Sequence, residues 1–321
     1  MPEANIFLAY RGPNESLRYY GEDSSSDAIF HFVDFRTKQS LKVGMREKAK
    51  PLSFQFHHGD AQTQIAKEQQ IKLLDQTIEA LKKGAGEKVV ISRCRVEQSS
   101  KSIWEILRDL DDHYPDACIY CFSHPKLGTW FGASPENLMR LSEGFLQIDS
   151  LAGTRKWEER GAFTEKEEHE QGLVTEEILA LLEEQEGIQS VNAQDRSIKK
   201  AGSLAHLYTL IQARVNDNFP LKELLSKLHP TPAVGGRPKE WAQQWIRKNE
   251  LYNRRFYSGY FGWSNDSKAS AQFWVNLRCA ELLAKSKFAL YLGGGITSKS
   301  VAIDEWDETE AKAQTILKVL D

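Results

Sequence analysis

The 321-residue chain has no surplus of positive charge: 42 lysines and arginines stand against 45 acidic residues, a formal net charge of −3. That balance argues against a role driven by neutralising nucleic-acid phosphates. No apolar run approaches the roughly 18 residues that cross a bilayer. The opening MPEANIFLAY lacks the basic start and apolar stretch of a secretory leader, so a cytoplasmic protein is expected. Cysteine is scarce, with 4 in the chain. Cys118 and Cys121 form a C-x-x-C, but no second such pair exists to complete a zinc site. Their flanks read as a strand, where positions i and i+3 face opposite ways, so both are expected as buried core residues. Also absent is any Pro/Gly/Ser-rich linker or low-complexity tract. Residues 1–321 are therefore expected to form one domain, with 1–60 its least defined part.

What is present is grouped. Residues 5–57 alternate short apolar runs (NIFLAYR, AIFHFVDF, LSFQFHH) with polar turns, as strands do. A helix follows over 62–83, carried by Ile65, Ile71, Leu73, Leu74, Ile78 and Leu81 and stopped by Gly84 and Gly86. EKVVISRCRV (87–96) is a β-branched strand entered through Lys88; a helix near 101–113 and strands near 116–123 and 128–132 come next. Further helices are expected over 165–184, 218–228, 238–250 and 304–320, and strands in YSGYFGWS, SAQFWVNLRCAEL and KFALYLGGGI. Strands in consecutive groups with helices between them point to an α+β fold rather than a regular βαβ alternation.

Two helix starts are acidic in a telling way. At about 100° per residue, Glu167 and Glu170 fall on the same stripe as Val174, Ile178 and Leu181. A solvated acidic face would lie opposite the apolar stripe. In the last helix the stripe is Ile303, Trp306, Ala313, Ile316, Leu317 and Leu320, with Glu305, Glu308 and Lys312 on its flank. Acidic residues also favour first turns because they complement the helix dipole, and that plainer reading stands beside the functional one. Taken together the two starts offer a four-carboxylate site, which could close only around a cation. An oxygen-only ligand set suits Mg²⁺.

In order along the chain stand KVVISR (88–93), GASPENL (132–138), LAGTR (151–155), HEQGLV (169–174), LHPTPAVGG (228–236), FYSGYFGW (256–263), VNLRCAEL (275–282), GGGI (293–296) and EWDETEAK (305–312). This set resembles the chorismate-utilising enzymes, and the isochorismate synthase branch in particular, over about 85–321. The resemblance implies a single large sandwich of two antiparallel sheets with flanking helices and the active site between them. It also implies an isomerase: Lys88 as the base that activates water for attack on C2 of chorismate, and Glu136 as the acid that protonates the departing C4 hydroxyl. Glu170 and Glu308 match the principal Mg²⁺ ligands, and Glu167 and Glu305 match companions acting directly or through water. Arg278, with Tyr257, would take the other substrate carboxylate in its planar fork. Gly293, Gly294 and Gly295 would let the backbone approach closely, because no Cβ intervenes. Lys312 would add a cation, and Gly153, Thr154, His229, Thr231 and Ala233 match pocket-lining positions, His229 without a proton-transfer role.

Anthranilate synthases resemble this layout but carry glutamine at the Lys88 position, and HPTPAV departs from the loop of the aminating enzymes. No glutaminase partner is therefore expected. Menaquinone biosynthesis is the pathway expected, with siderophore or salicylate production as options. Two other readings stay open at this point: a salicylate synthase that goes on to eliminate pyruvate, and a catalytically silent homologue serving as a binding protein.

Overall fold

The computed structural model describes residues 6–50, 54–161, 163–265 and 270–321. Its strands form two antiparallel sheets that share one member. In the first, β1 (Phe7–Arg11) lies between β2 (Arg18–Glu22) and β6 (Cys118–His124). The sheet continues from β6 through β7 (Gly128–Ser134), β16 (Cys279–Ala284) and β17 (Lys287–Thr297). It ends with β5 (Lys88–Gln98) and the short β13 (Gly236–Arg237). The second runs β3 (Ala28–Val33), β14 (Tyr260–Asn265), β15 (Ser270–Val275), β8 (Asn137–Ser142), β9 (Phe145–Lys156) and β12 (Leu204–Val215). Two short strands, β10 (Ile188–Ala193) and β11 (Ser197–Ala201), pair with the far side of β12. The shared strand is β4 (Ser40–Lys48): Ser40–Gly44 pair with β3, and Met45–Lys48 pair with β2.

An aromatic core fills the space between the sheets, with Tyr10, Phe30, Phe32, Tyr120, Phe122, Trp130, Phe261 and Trp274 drawn from both. Helices cover the outer faces. Helix α2 (Ile103–His113) and the last helix, α6 (Ala302–Leu320), pack on the first sheet through Ile106, Leu110, Ile316 and Val319. Helices α3 (Glu165–Glu183) and α4 (Leu221–Leu228) cover the second through Val174, Ile178, Leu182 and Leu224. Helices α1 (Lys67–Lys82) and α5 (Lys239–Asn249) close over β5 and β17. This is the two-sheet α+β sandwich expected from the sequence. Cys118 faces the inter-sheet core and Cys121 the helix-covered side, both buried and unpaired, as the strand reading required.

Three local expectations are corrected. The stretch LSFQFHH was read as a strand, but 54–66 is irregular, and residues 51–53 lie outside the described ones. Its apolar alternation is used for docking instead: Phe54 and Phe56 pack on Phe7, and Phe56 on Trp104. Ile303 was placed on the buried stripe of α6 and is 43% exposed, while Ala302 takes the inward position. Leu182, rather than Leu181, completes the buried stripe of α3. The sequence reading assigns no strands over 188–215: β10 and β11 are polar and largely exposed, whereas β12 is buried and alternating, so its pattern was there to be read.

Among its passages between the sheets, the chain goes from the first to the second between β7 and β8 and from the second to the first between β15 and β16. The two crossings are hydrogen-bonded to each other: Val275 N–H donates to Glu136 O at 3.1 Å, Ala133 N–H to Arg278 O at 3.1 Å, and the Ser134 hydroxyl to Val275 O at 2.6 Å.

Candidate active site

A cavity opens between the sheets beside these crossings, lined by Glu136, Gly153, Thr154, Glu170, His206, Ala233, Tyr257, Arg278, Gly293, Gly295 and Lys312 among others. Its wall combines a few polar and charged groups with apolar Val90, Leu151, Ala152 and Leu292, as small-molecule sites do. Glu136 follows Pro135 in the first crossing and is 2% exposed. Burial, reinforced by the neighbouring Asp149 charge, pushes its carboxyl up to about 8. At neutral pH it is therefore a protonated acid aimed into a cavity, the form a general acid needs.

Lys88, the first residue of β5, is fully buried one layer behind the lining, against Gly295 and Glu170. Its ammonium lies 3.0 Å from Glu170 Oε1, yet it makes no aligned hydrogen bond among the described residues. Gly295 is what allows this approach. A Cβ there would overlap Glu170 Oε1 and stand 3.0 Å from Lys88 Cε. Gly293 faces the Tyr257 hydroxyl, 2.8 Å from where its Cβ would be.

Arg278 occupies the second crossing with φ 48, a left-handed conformation that costs an ordinary residue on the order of 1 kcal/mol or more. Burial brings its guanidinium down to about 10. One of its N–H groups lies 3.2 Å from His206 Nε2. Since arginine only donates, Nε2 accepts, and Nδ1 carries the proton that faces Gly153 O and Thr154 Oγ1, each at 3.2 Å. Burial, with Arg278 and Lys312 nearby, holds His206 neutral with its pKa well below the ordinary value. His206 was not singled out from the sequence. It is a lone histidine inside the alternating LAHLYTLIQARV, and nothing in that pattern distinguishes it from a core residue.

The four glutamates come together only in part. Glu170 reaches the glycine strand at Gly295, while Glu305 and Glu308 approach its other side at Gly294, with oxygens 3.4 and 3.7 Å from a Cβ placed there. Each carboxylate has a partner of its own chain. Lys166 hydrogen-bonds Glu305, Lys312 lies 2.6 Å from Glu308 and donates to Gly293 O at 2.9 Å, and Lys88 pairs with Glu170. Glu167 caps its helix: it accepts from Thr164 N–H at 2.8 Å and from its hydroxyl, and pairs with Arg155 at 3.0 Å. Burial would raise Glu167, but those hydrogen bonds hold it below the usual carboxylate range. Glu305 goes the other way, up to about 7, through burial and the adjacent Glu308. Among the described residues no three acidic or imidazole groups already form a closed ligand shell. The donor set nevertheless fits a hard divalent cation. It is all oxygen, and Glu305 Oε2 is buried with no hydrogen-bond partner among the described residues.

Of the expected substrate-binding residues, His229, Thr231 and Gly294 do not line the cavity, Gly294 facing Glu305 and Glu308 instead. His229 is packed between Phe35 and Tyr260 with Nε2 3.3 Å from Phe35 O, and burial lowers it to about 3. Thr231 anchors the turn that receives Val234 N–H and Gly235 N–H, leaving Ala233 as the contributor to the wall.

A sandwich of this topology, with a protonated buried carboxyl facing cationic Arg278 and Lys312, has a counterpart in sequence: the family described as chorismate binding enzyme matches residues 20–321, and the chain belongs to it. Within that family it is similar to isochorismate synthases. The Salicylate biosynthesis isochorismate synthase of Pseudomonas aeruginosa is 29% identical over 97% of this chain and 66% of its own length. Isochorismate synthase EntC of Escherichia coli is 33% identical over 60% of this chain and 51% of its own. The chain thus spans between half and two thirds of the length of these curated relatives. A solved structure described as a putative 2,3-dihydroxybenzoate-specific isochorismate synthase, DhbC from Bacillus anthracis, superposes with TM-score 0.84 at 26% identity, covering 99% of this chain and 98% of that one. No helix among the described residues is long and apolar enough to cross a membrane.

Proposed function

We propose that the protein is an Mg²⁺-dependent isochorismate synthase. The observation that carries this reading is a carboxyl held protonated in the cavity wall, with a fully buried lysine one layer behind that wall. Lys88, as the base, takes a proton from water as the water oxygen bonds to C2 of chorismate. The ring double bonds shift, the C4–O bond breaks, and Glu136 gives its proton to the departing hydroxyl. Water in and water out leave an isomer, with no redox change and no ammonia. Arg278, its orientation supported by His206, and Tyr257 offer donors to one substrate carboxylate; Lys312 adds positive charge from α6.

Glu170 and Glu308, with Glu305 and Glu167 as companions, would hold Mg²⁺, whose charge when bound would offset that of the second substrate carboxylate. The partnerless Glu305 Oε2 supports that assignment. Glu167, already engaged in capping, has the smaller part. The four unpaired, buried cysteines support a reducing, cytoplasmic setting. Menaquinone biosynthesis is the pathway we assign, without a glutaminase partner.

Incubating the purified protein with chorismate and Mg²⁺, with and without ammonia, and separating the products by chromatography tests the reading. Isochorismate alone, abolished by chelation, is expected. Salicylate with pyruvate would move the protein to the lyase-competent reading, anthranilate would sink the assignment, and no turnover would make it a binding homologue.

A further inference from the structure

Asp149 on β9 is buried at 5% exposure, yet it is neither part of the cavity wall nor one of the helix-start carboxylates. Its Oδ2 accepts the Asn137 N–H at 3.2 Å and the Lys199 ammonium at 2.7 Å, and its Oδ1 accepts the Tyr208 hydroxyl at 3.1 Å. Three strands therefore converge on one carboxylate. The peptide it grips is the one that joins Glu136 to Asn137. Lys199 lies 4.8 Å from the centre of the Tyr208 ring, with its side chain 29% exposed. The cation thus has access to water, while the anion is sealed inside next to the acid.

We infer that Asp149 is a positioning residue for Glu136: it pins the peptide that carries the acid and sets a fixed negative charge behind it that favours the protonated carboxyl. The catalytic meaning rests on the isochorismate synthase reading of Glu136; the electrostatic part rests on geometry alone. The other charges facing Glu136 are Lys199 from β11, Lys88 from β5 and Lys312 from α6, and all three act in the opposite sense to Asp149. Glu170, Arg278 and neutral His206 share the cavity. A carboxyl ringed by three lysines would ordinarily ionise. Burial and Asp149 are what oppose that outcome.

The test uses the full chain with saturating Mg²⁺. Asp149→Asn keeps an oxygen for the Asn137 N–H and removes the charge. The basic limb of the pH dependence of kcat/KM is expected to move to lower pH by about one unit, a tenfold change in the protonated fraction at a given alkaline pH. Lys199→Met is expected to move the same limb upward. Opposite shifts are something a merely structural role would not produce. Limbs that stay at the parent midpoint in both variants, with activity lowered equally at every pH, would overturn the inference. If Asp149→Asn does not fold, an unmoved limb in Lys199→Met overturns it alone. Infrared titration of the protonated-carboxyl band, assigned by its loss in Glu136→Gln, reads the same midpoint without turnover. A band that shifts in protein making no isochorismate would uphold the electrostatic role while the functional reading falls. An unshifted band in protein that makes isochorismate would sink the inference alone.

Discussion

Replacing Gly295 by alanine is the sharpest perturbation available, because one methyl group would land between the two charges beneath the cavity. The added Cβ overlaps Glu170 Oε1 and lies 2.9 Å from Glu170 Cδ and 3.0 Å from Lys88 Cε. Real Cβ contacts this close do not persist, so something must yield. The nearest atoms are the ends of flexible side chains rather than backbone, so the fold should survive with an overpacking cost of about 1–3 kcal/mol. The yielding side chain is Glu170, whose displacement breaks the 3.0 Å approach to Lys88. Misplacing catalytic groups by about 1 Å costs on the order of 100-fold in rate, and that is the expected fall in kcat. Steady-state isochorismate formation and urea unfolding measure the two effects separately. Gly294→Ala is the matched comparison: its Cβ would meet Glu305 and Glu308 only at 3.4 and 3.7 Å, ordinary contact distances. It should unfold like the parent to within about 1 kcal/mol. A Gly295→Ala protein whose kcat stays within about twofold of the parent would refute the reasoning, since the claim is that Lys88 and Glu170 must sit where that glycine lets them.

Lys88→Ala should lose turnover by about 100-fold or more while still binding chorismate, as read by calorimetry; near-normal kcat would mean the base lies elsewhere. Glu136 binds its proton in the folded state up to about pH 8 but releases it near pH 4.3 when unfolded. Between those values the native state holds the extra proton, so stability falls as pH rises, by at most about 1.4 kcal/mol per pH unit from this group. Glu136→Gln should remove that component from the difference in unfolding free energy between pH 5 and pH 8, and an unchanged difference counts against a protonated Glu136. Arg278→Lys keeps the charge but loses the fork, and should raise KM for chorismate by about tenfold or more with a smaller change in kcat. A KM unchanged from the parent would remove Arg278 from the substrate carboxylate.

Where the proposed site coincides with local pattern, the sequence is easy to read. The α3 and α6 starts could be found because Glu167 and Glu170 head a buried stripe, contrary to what solvation asks, and the structure does bury Glu167, Glu170 and Glu305. The two-sheet fold was legible in long alternating segments and in the ordered motifs. His206 was not, because its part depends on Arg278, 72 residues away, and on a tautomer that only the Gly153 carbonyl and Thr154 fix. Nor was Asp149, whose three donors come from three strands. The motif at 228–236 suggests that His229 and Thr231 face the cavity; the His229 ring turns instead toward Phe35, Thr231 gives its backbone carbonyl to the turn, and Ala233 takes the wall. Whether a residue in a loop motif lines a pocket or braces it is decided by backbone direction, which spacing along the chain does not carry.

The paired crossings have a mechanical meaning. Glu136 and Arg278 sit where the chain passes between layers, and the backbone bonds joining β7–β8 to β15–β16 tie those two residues to both sheets at once. Apart from the shared strand β4, the rest of the site is divided between the layers. Lys88 and the glycine strand travel with one, while Gly153, Thr154 and His206 travel with the other, and α3 and α6 are tied by Lys166 and Glu305. The proposed acid and the proposed carboxylate-binding arginine thus stand at a junction of the two sheets, while the proposed base and metal ligands lie on elements to either side. The spacing of Glu136 and Arg278 is thus fixed by backbone bonds, whereas that of Lys88 and Glu136 also depends on how the sheets pack.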